Sequence, residues 1–305
     1  MRDAMSQHEH EHQPSQAQGG RAFALGIALN LIFVVVEAVY GVAASSVALI
    51  ADAAHNLSDV LGLALAWAAA LLAARKPTAR RTYGFRKGTV VSALANAVLL
   101  LVTVGGVAWE AIGRFQAPQP IESRTVMIVA AIGVVINGLS AVLFIKGSTR
   151  DINIKGALLH LLSDAAVSLG VVVVGFLVLR TGYDWLDPAA SLVISLVILV
   201  GTWSLLKESL NLVLDAVPEH IEPNEVLRYF ESMSEVQSVH DLHIWAMSST
   251  DVALTVHLVV RSDSLELPRL QQIQTEIKTR FQVEHATVQI EAPGDCSHCS
   301  LDEST

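Results

Sequence analysis

The sequence predicts a membrane protein, with six transmembrane α-helices followed by a cytoplasmic α+β domain of element order α-β-β-α-β. Three observations predict it. The 305 residues are 52% hydrophobic and 16% charged, with a mean hydropathy of +0.49, too apolar for an ordinary soluble domain. Six stretches approach the roughly 20 apolar residues that a spanning helix needs. After Leu206 the apolar residues become periodic instead of continuous.

The elements follow in order. Residues 1–20 form a polar, His-rich tail with His8, His10 and His12 in HEHEH. The expected spans are 22–42, 47–73, 90–112, 125–145, 157–179 and 186–206, which together make a membrane region of residues 21–207. The first follows a polar tail and has no clear cleavage site, so it reads as a helix and not as a removed leader. Residues 208–292 form the compact C-terminal domain, and 293–305 a short tail with Cys296 and Cys299. Within the domain, residues 224–233 read as a helix and 239–245 as a strand. Val252, Leu254, Val256, Leu258 and Val260 alternate, which marks a second strand. Leu265, Leu267, Leu270, Ile273, Ile277 and Phe281 make the stripe of one helix with Pro268 near its start, and 287–291 a last strand. About 85 residues suffice for a small core.

Charge is unevenly divided. Residues 1–207 hold 15 Lys/Arg against 12 Asp/Glu, whereas 208–305 hold 5 against 17, a balance of −12. Such an acidic domain argues against a nucleic-acid partner, which needs clustered cations. Six cations lie between Arg75 and Lys87, and Lys146, Arg150 and Lys155 join the fourth and fifth spans. The opposite loops hold only Arg114, Arg124 and Arg180. The positive-inside rule therefore puts both termini in the cytoplasm.

Two of the apolar stretches carry matched polar motifs, HNLSD at 55–59 and HLLSD at 160–164. Residues i and i+4 share a helix face, so His55 projects with Asp59, and His160 with Asp164. Asp52, seven residues before Asp59, shares the first face and reads as a support to His55 or as part of the route to it. Each ionisable group inside a bilayer costs at least ~2.5–3.5 kcal/mol on insertion scales. Two imidazoles and two carboxylates make a four-ligand set suited to tetrahedral Zn²⁺. A hydrogen bond between neighbouring turns explains one such pair equally well. Two matched pairs on separate helices favour a metal. Other polar residues in the spans, Glu37, Asn56, Asn96 and Asn137, read as helix packing or a water path. A metalloprotease would add a motif such as HExxH beside the intramembrane ligands, and none of the apolar stretches has one; four strong ligands suit a slow carrier better than a channel.

The chain resembles the cation diffusion facilitator family, in its bacterial zinc/cadmium/cobalt exporter branch. The residues that carry the resemblance are SVALIADAAHNLSD (46–59), RTYGF (81–85), HLLSD (160–164) and VHDLHIW (239–245). The resemblance implies a secondary transporter, not an enzyme, usually a homodimer in the lipid of the bacterial inner (plasma) membrane, with a metallochaperone-like cytoplasmic domain. It implies export of Zn²⁺, with Cd²⁺, Co²⁺ or Ni²⁺ as alternatives, in exchange for protons and by alternating access. His55, Asp59, His160 and Asp164 would be the transport site. Mixed His/Asp ligation suits that exchange, because metal binding needs deprotonated ligands and histidine titrates near about pH 6.5.

In the cytoplasmic domain the resemblance implies metal ligands at His240, His257 and Glu291, with no organic cofactor. His257 and Glu291 alternate away from their apolar neighbours, and His243 and His285 are further options. In a regular strand His240 and His243 would face opposite ways. Some relatives have a second metal site in the loop after the second helix, but here ArgArgThrTyrGlyPheArgLys offers no ligand, and contact with the acidic domain is expected instead. Cys296 and Cys299, with histidines from His8 to His12, would make a shared zinc site or else a flexible metal-catching tail. Zinc bound by two acidic domains would relieve their repulsion and draw the pair together.

Overall fold

The computed structural model describes residues 31–117, 119–145, 152–261 and 267–293. The N-terminal tail with its three histidines, the first part of the expected first span and the CSHC tail lie outside them. Five helices are long and apolar enough to cross a membrane: α2 (Val47–Ala73), α3 (Gly88–Gln116), α4 (Ser123–Ile145), α5 (Ile152–Thr181) and α6 (Leu186–Val213). Of the expected first span, the described part lies in an apolar helix, α1 (Leu31–Ala43). The described residues thus show five helices of spanning length, and the expected first span is described only in part.

Two compact units form, Met1–Val60 with Val102–Leu199 and Leu61–Leu101 with Val200–Thr305. In the first, α4 packs along α5. Glycines let these helices approach. A Cβ on Gly133 of α4 would lie 2.7 Å from Phe33 of α1 and 3.1 Å from Ser168 Oγ of α5. A Cβ on Gly175 of α5 would lie 2.8 Å from Met127 of α4. Outward positions such as Ile128, Leu139, Leu169 and Val193 are exposed and apolar, as a lipid-facing surface requires.

The turn from α1 into α2 passes through Ser45 with φ 56°. Asp187, on the first turn of α6, then closes the start of α2. Its carboxylate accepts from Ser46 Oγ, from Val47 N at 2.7 Å and from Ala48 N at 3.4 Å. A carboxylate at this position answers free backbone N–H groups and the positive end of the helix dipole. Arg114 Nη1 donates to Ser45 O at 2.8 Å and holds the same corner.

The second unit contains the C-terminal domain. Its order is α7 (Pro223–Glu231), β1 (Val236–Ala246), β2 (Val252–Val260), α8 (Leu267–Phe281) and β3 (His285–Glu291), the α-β-β-α-β order read from periodicity. The sheet order is β1-β2-β3, with β1 antiparallel and β3 parallel to β2. The parallel pairing needs the crossover that α8 provides. Val226 and Phe230 of α7, Leu254, Val256 and Leu258 of β2, and Ile273 and Ile277 of α8 fill the core, all 0% exposed.

The basic loop before α3 belongs to this unit and does contact the acidic domain. Arg86 Nη1 pairs with Asp251 at 3.1 Å. Lys87 pairs with Asp215 and donates to Ala246 O at 3.1 Å. Ser249 N donates to Thr89 Oγ1 at 2.9 Å.

Gly133→Ala and Gly138→Ala separate packing from propensity within α4. A Cβ on Gly138 meets nothing within 4 Å, so that change should be neutral or stabilise by up to about 1 kcal/mol. Gly133→Ala should destabilise by about 1–3 kcal/mol. Thermal melts of the detergent-solubilised chain check both, the first holding or raising the midpoint and the second lowering it.

Candidate metal centres

The helix spacing of the two HxLSD motifs brings four side chains together. His55 and Asp59 come from α2, and His160 and Asp164 from α5. His55 Nε2 lies 3.6 Å from Asp59 Oδ2 and 3.7 Å from Asp164 Oδ1. His160 Nε2 lies 3.4 Å from Asp59 Oδ2 and 3.6 Å from Asp164 Oδ2. Each imidazole therefore faces both carboxylates, one on its own helix and one across. His55, Asp59 and Asp164 each offer a ligand atom within 4.8 Å of the others.

These distances bear on two readings of the motif. A hydrogen bond between ring nitrogen and carboxylate would close to about 2.7–3.2 Å. A tetrahedral zinc site with bonds of about 2.0–2.2 Å has ligand–ligand edges of roughly 3.3–3.6 Å. The four His–carboxylate separations fall at or just above that edge, whereas the two rings stand further apart, with centroids at 6.3 Å, and His160 is not in the three-residue group. Consistently, Asp59 Oδ2, Asp164 Oδ1 and His55 Nδ1 are enclosed and have no hydrogen-bond partner among the described residues. Asp164 is buried and His160 is half-exposed, which leaves the set open on one side.

Asp52, expected as a support to His55, is fully buried and accepts from Ser168 Oγ of α5 at 2.7 Å. Glu37 of α1, read from sequence as helix packing or a water path, is also fully buried and accepts from Asn56 Nδ2 at 3.2 Å.

A second cluster forms on the sheet of the C-terminal domain. His240 of β1 is the direct cross-strand partner of His257 on β2, and their rings meet edge to face with centroids 5.2 Å apart. Glu291 ends β3 beside Val259, so it reaches the same end of the sheet. Its Oε2 lies 2.9 Å from His240 Nε2, and its Oε1 lies 2.8 Å from His257 Nδ1. The second contact lacks the alignment of a hydrogen bond, although it is short. The three residues expected from sequence thus form a group of metal-ligand type.

Burial pushes the Glu291 carboxyl up. Hydrogen bonds with Gln289 and His240 and the nearby charge of His240 and His257 outweigh it, so the group sits below the usual carboxylate value.

Asp241 is the residue that sequence reasoning missed. It has φ 52°, and β1 gains one residue against β2 between His240 and His243. The strand is not regular there, so simple alternation does not assign the faces of these histidines. The bulge re-aims Asp241, whose carboxylate lies 3.4 Å from His257 Nε2 and 3.0 Å from His243 Nε2. The acidic residue between two histidines in HDLH was the available signal. His243 is exposed and paired with Asp241. His285 is exposed at the start of β3, its ring 6.2 Å from Tyr83. Neither is part of the three-residue group. His8, His10, His12, Cys296 and Cys299 lie outside the described residues.

Comparison with known proteins agrees with this organisation. Residues 23–214 match the family model described as the cation efflux transmembrane domain, and residues 218–293 the one described as the cation efflux protein cytoplasmic domain. The chain is 38% identical over 275 residues to the metal cation efflux system protein CzcD of Cupriavidus metallidurans, covering 89% of this chain and 86% of that one. It is 35% identical over 284 residues to the zinc transporter ZitB of Escherichia coli, covering 92% and 90%. It is 31% identical over 264 residues to a cadmium, cobalt and zinc/H(+)-K(+) antiporter of Bacillus subtilis, covering 85% of each.

The lowered Glu291 carboxyl gives a pH dependence with a fixed sign. Its stabilising effect is present above its ordinary value of 4.5 and is lost as pH falls through its lowered folded value. In metal-free buffer, Glu291→Gln should melt below the parent above pH 4.5, and the gap should narrow as the pH falls below that value. Melting curves across that range check it.

Proposed function

We propose, from the premise that this chain belongs to the cation efflux family of metal transporters, that it exports Zn²⁺ from the cytoplasm in exchange for protons. Cd²⁺ and Co²⁺ are further cargo, as the names of its relatives suggest. His55, Asp59, His160 and Asp164 hold the ion in transit. The observation that carries this reading is the set of four crossed His–Asp separations of 3.4–3.7 Å, which suits a tetrahedral cation better than hydrogen bonds.

The chemistry of exchange follows from the ligands. Two carboxylates and two neutral imidazoles offset the charge of a divalent ion. Protons compete for the same atoms, so an acidic outer side favours release there. Alternating access presents the site first to one side and then to the other. The helices sit in the bacterial inner membrane with both termini in the cytoplasm, as the basic loops direct. The membrane region covers 21–207, the cytoplasmic domain 208–292, and two chains form a homodimer. His240, His257 and Glu291 bind a further zinc ion that reports cytoplasmic metal to the membrane domain.

Two measurements test the assignment. In proteoliposomes with an imposed pH gradient, Asp164→Ala should lower zinc flux by at least about 100-fold, the upper end of what loss of a supporting residue does. Flux equal to the parent would exclude these four residues as the pathway. His257→Ala in the full chain should bind about one zinc ion fewer per protomer by equilibrium dialysis. An unchanged count would remove the cytoplasmic site.

A further inference from the structure

Two buried carboxyl groups stand outside the four-ligand set. Glu37 on α1 and Asp52 on α2 are each 0% exposed. One oxygen of each is held, Glu37 Oε2 by Asn56 Nδ2 at 3.2 Å and Asp52 Oδ2 by Ser168 Oγ at 2.7 Å. The other two, Glu37 Oε1 and Asp52 Oδ1, are enclosed and meet no donor among the described residues. Asn56, which donates to Glu37, stands four residues beyond Asp52 on the same face of α2, and this sets the Glu37 carboxyl against the face that carries Asp52.

An ionised carboxylate only accepts hydrogen bonds. Two of them side by side, away from water, repel unless a proton lies between them. One shared proton satisfies both groups at once and halves their charge. A bound metal does not explain the arrangement as well, because Asn56 and Ser168 each point a donor at the pair. The charged groups facing the pair are His55, one turn further along α2, and Asp164 on α5.

We infer that Glu37 and Asp52 form a proton-binding site separate from the metal ligands, and that it carries one of the protons exchanged for the metal. The inference rests on the transport reading above. Asp52 precedes His55 by three residues, about 4.5 Å along the helix. A divalent ion at the four ligands places its charge within about a turn of the pair and expels the shared proton. The pair then carries −2 instead of −1. The proton leaves to the side from which the metal entered, and departure of the metal on the far side allows a proton to return from there. Each cycle through the pair thus moves one proton against one metal ion, beside those the histidines exchange.

The test counts protons. Purified full-length chain in weak buffer with a pH-indicator dye is titrated with Zn²⁺, and zinc affinity is measured across neutral pH. Glu37→Gln keeps the size of the side chain and an acceptor for Asn56, and it removes the shared proton. Release should fall by about one proton per chain, and the pH slope of log affinity by about one, with zinc still bound. The double variant Glu37→Gln/Asp52→Asn should lose no more than that. Equal proton release by Glu37→Gln and the parent overturns the inference. So does loss of zinc binding in both variants, which would make the pair part of the metal scaffold. A parent that binds zinc but moves none in proteoliposomes overturns the transport reading, whereas an unchanged proton count overturns only this one.

Discussion

The membrane half is organised around ionisable groups that have few hydrogen-bond donors. Glu37, Asp52, His55, Asp59 and Asp164 lie within apolar helices, and an oxygen or nitrogen of each has no partner among the described residues. Isolated charges of this kind are costly in hydrocarbon. The structure resolves the cost by gathering them on α1, α2 and α5, where each becomes a reason to hold something positive. The glycine contacts that bring α4 against α1 and α5 serve the same end, because they let backbones approach closely enough for short polar side chains to meet.

The C-terminal domain reaches a similar result by other means. Its apolar core is conventional, and the sheet rather than a helix pair brings the candidate ligands together. Cross-strand pairing sets His240 against His257, and the parallel β3 brings Glu291 to them. The glutamate is drawn below its ordinary titration range by its neighbours, so it is held as an anion beside the two rings. Here the groups have partners even without an ion, since Glu291 touches both rings.

Much of this was legible in the sequence because it rests on local periodicity. The i,i+4 spacing of His55 with Asp59 and His160 with Asp164 fixes each pair on one helix face, and the alternation from Val252 to Val260 fixes β2. What was not legible depends on contacts between distant residues or on single backbone torsions. Nothing local places Glu37 near Asp52, because that depends on how α1 packs on α2. The left-handed Asp241 and its bulge break the alternation on which the faces of His240 and His243 were argued. The capping of α2 by Asp187, 140 residues away from Val47, is equally beyond a local pattern.

That cap has a mechanical consequence. It ties the first turn of α2 to the first turn of α6, so α2 is anchored at one end. His55 and Asp59 stand 8 and 12 residues beyond Val47, about 12 and 18 Å along the axis. Pivoting about the anchor by 10° would carry them by roughly 2 and 3 Å, as much as a metal–ligand bond is long. The helix is a lever whose fulcrum lies away from both side chains. The same pivot moves Asp59 half as far again as His55, because Asp59 stands further along the arm.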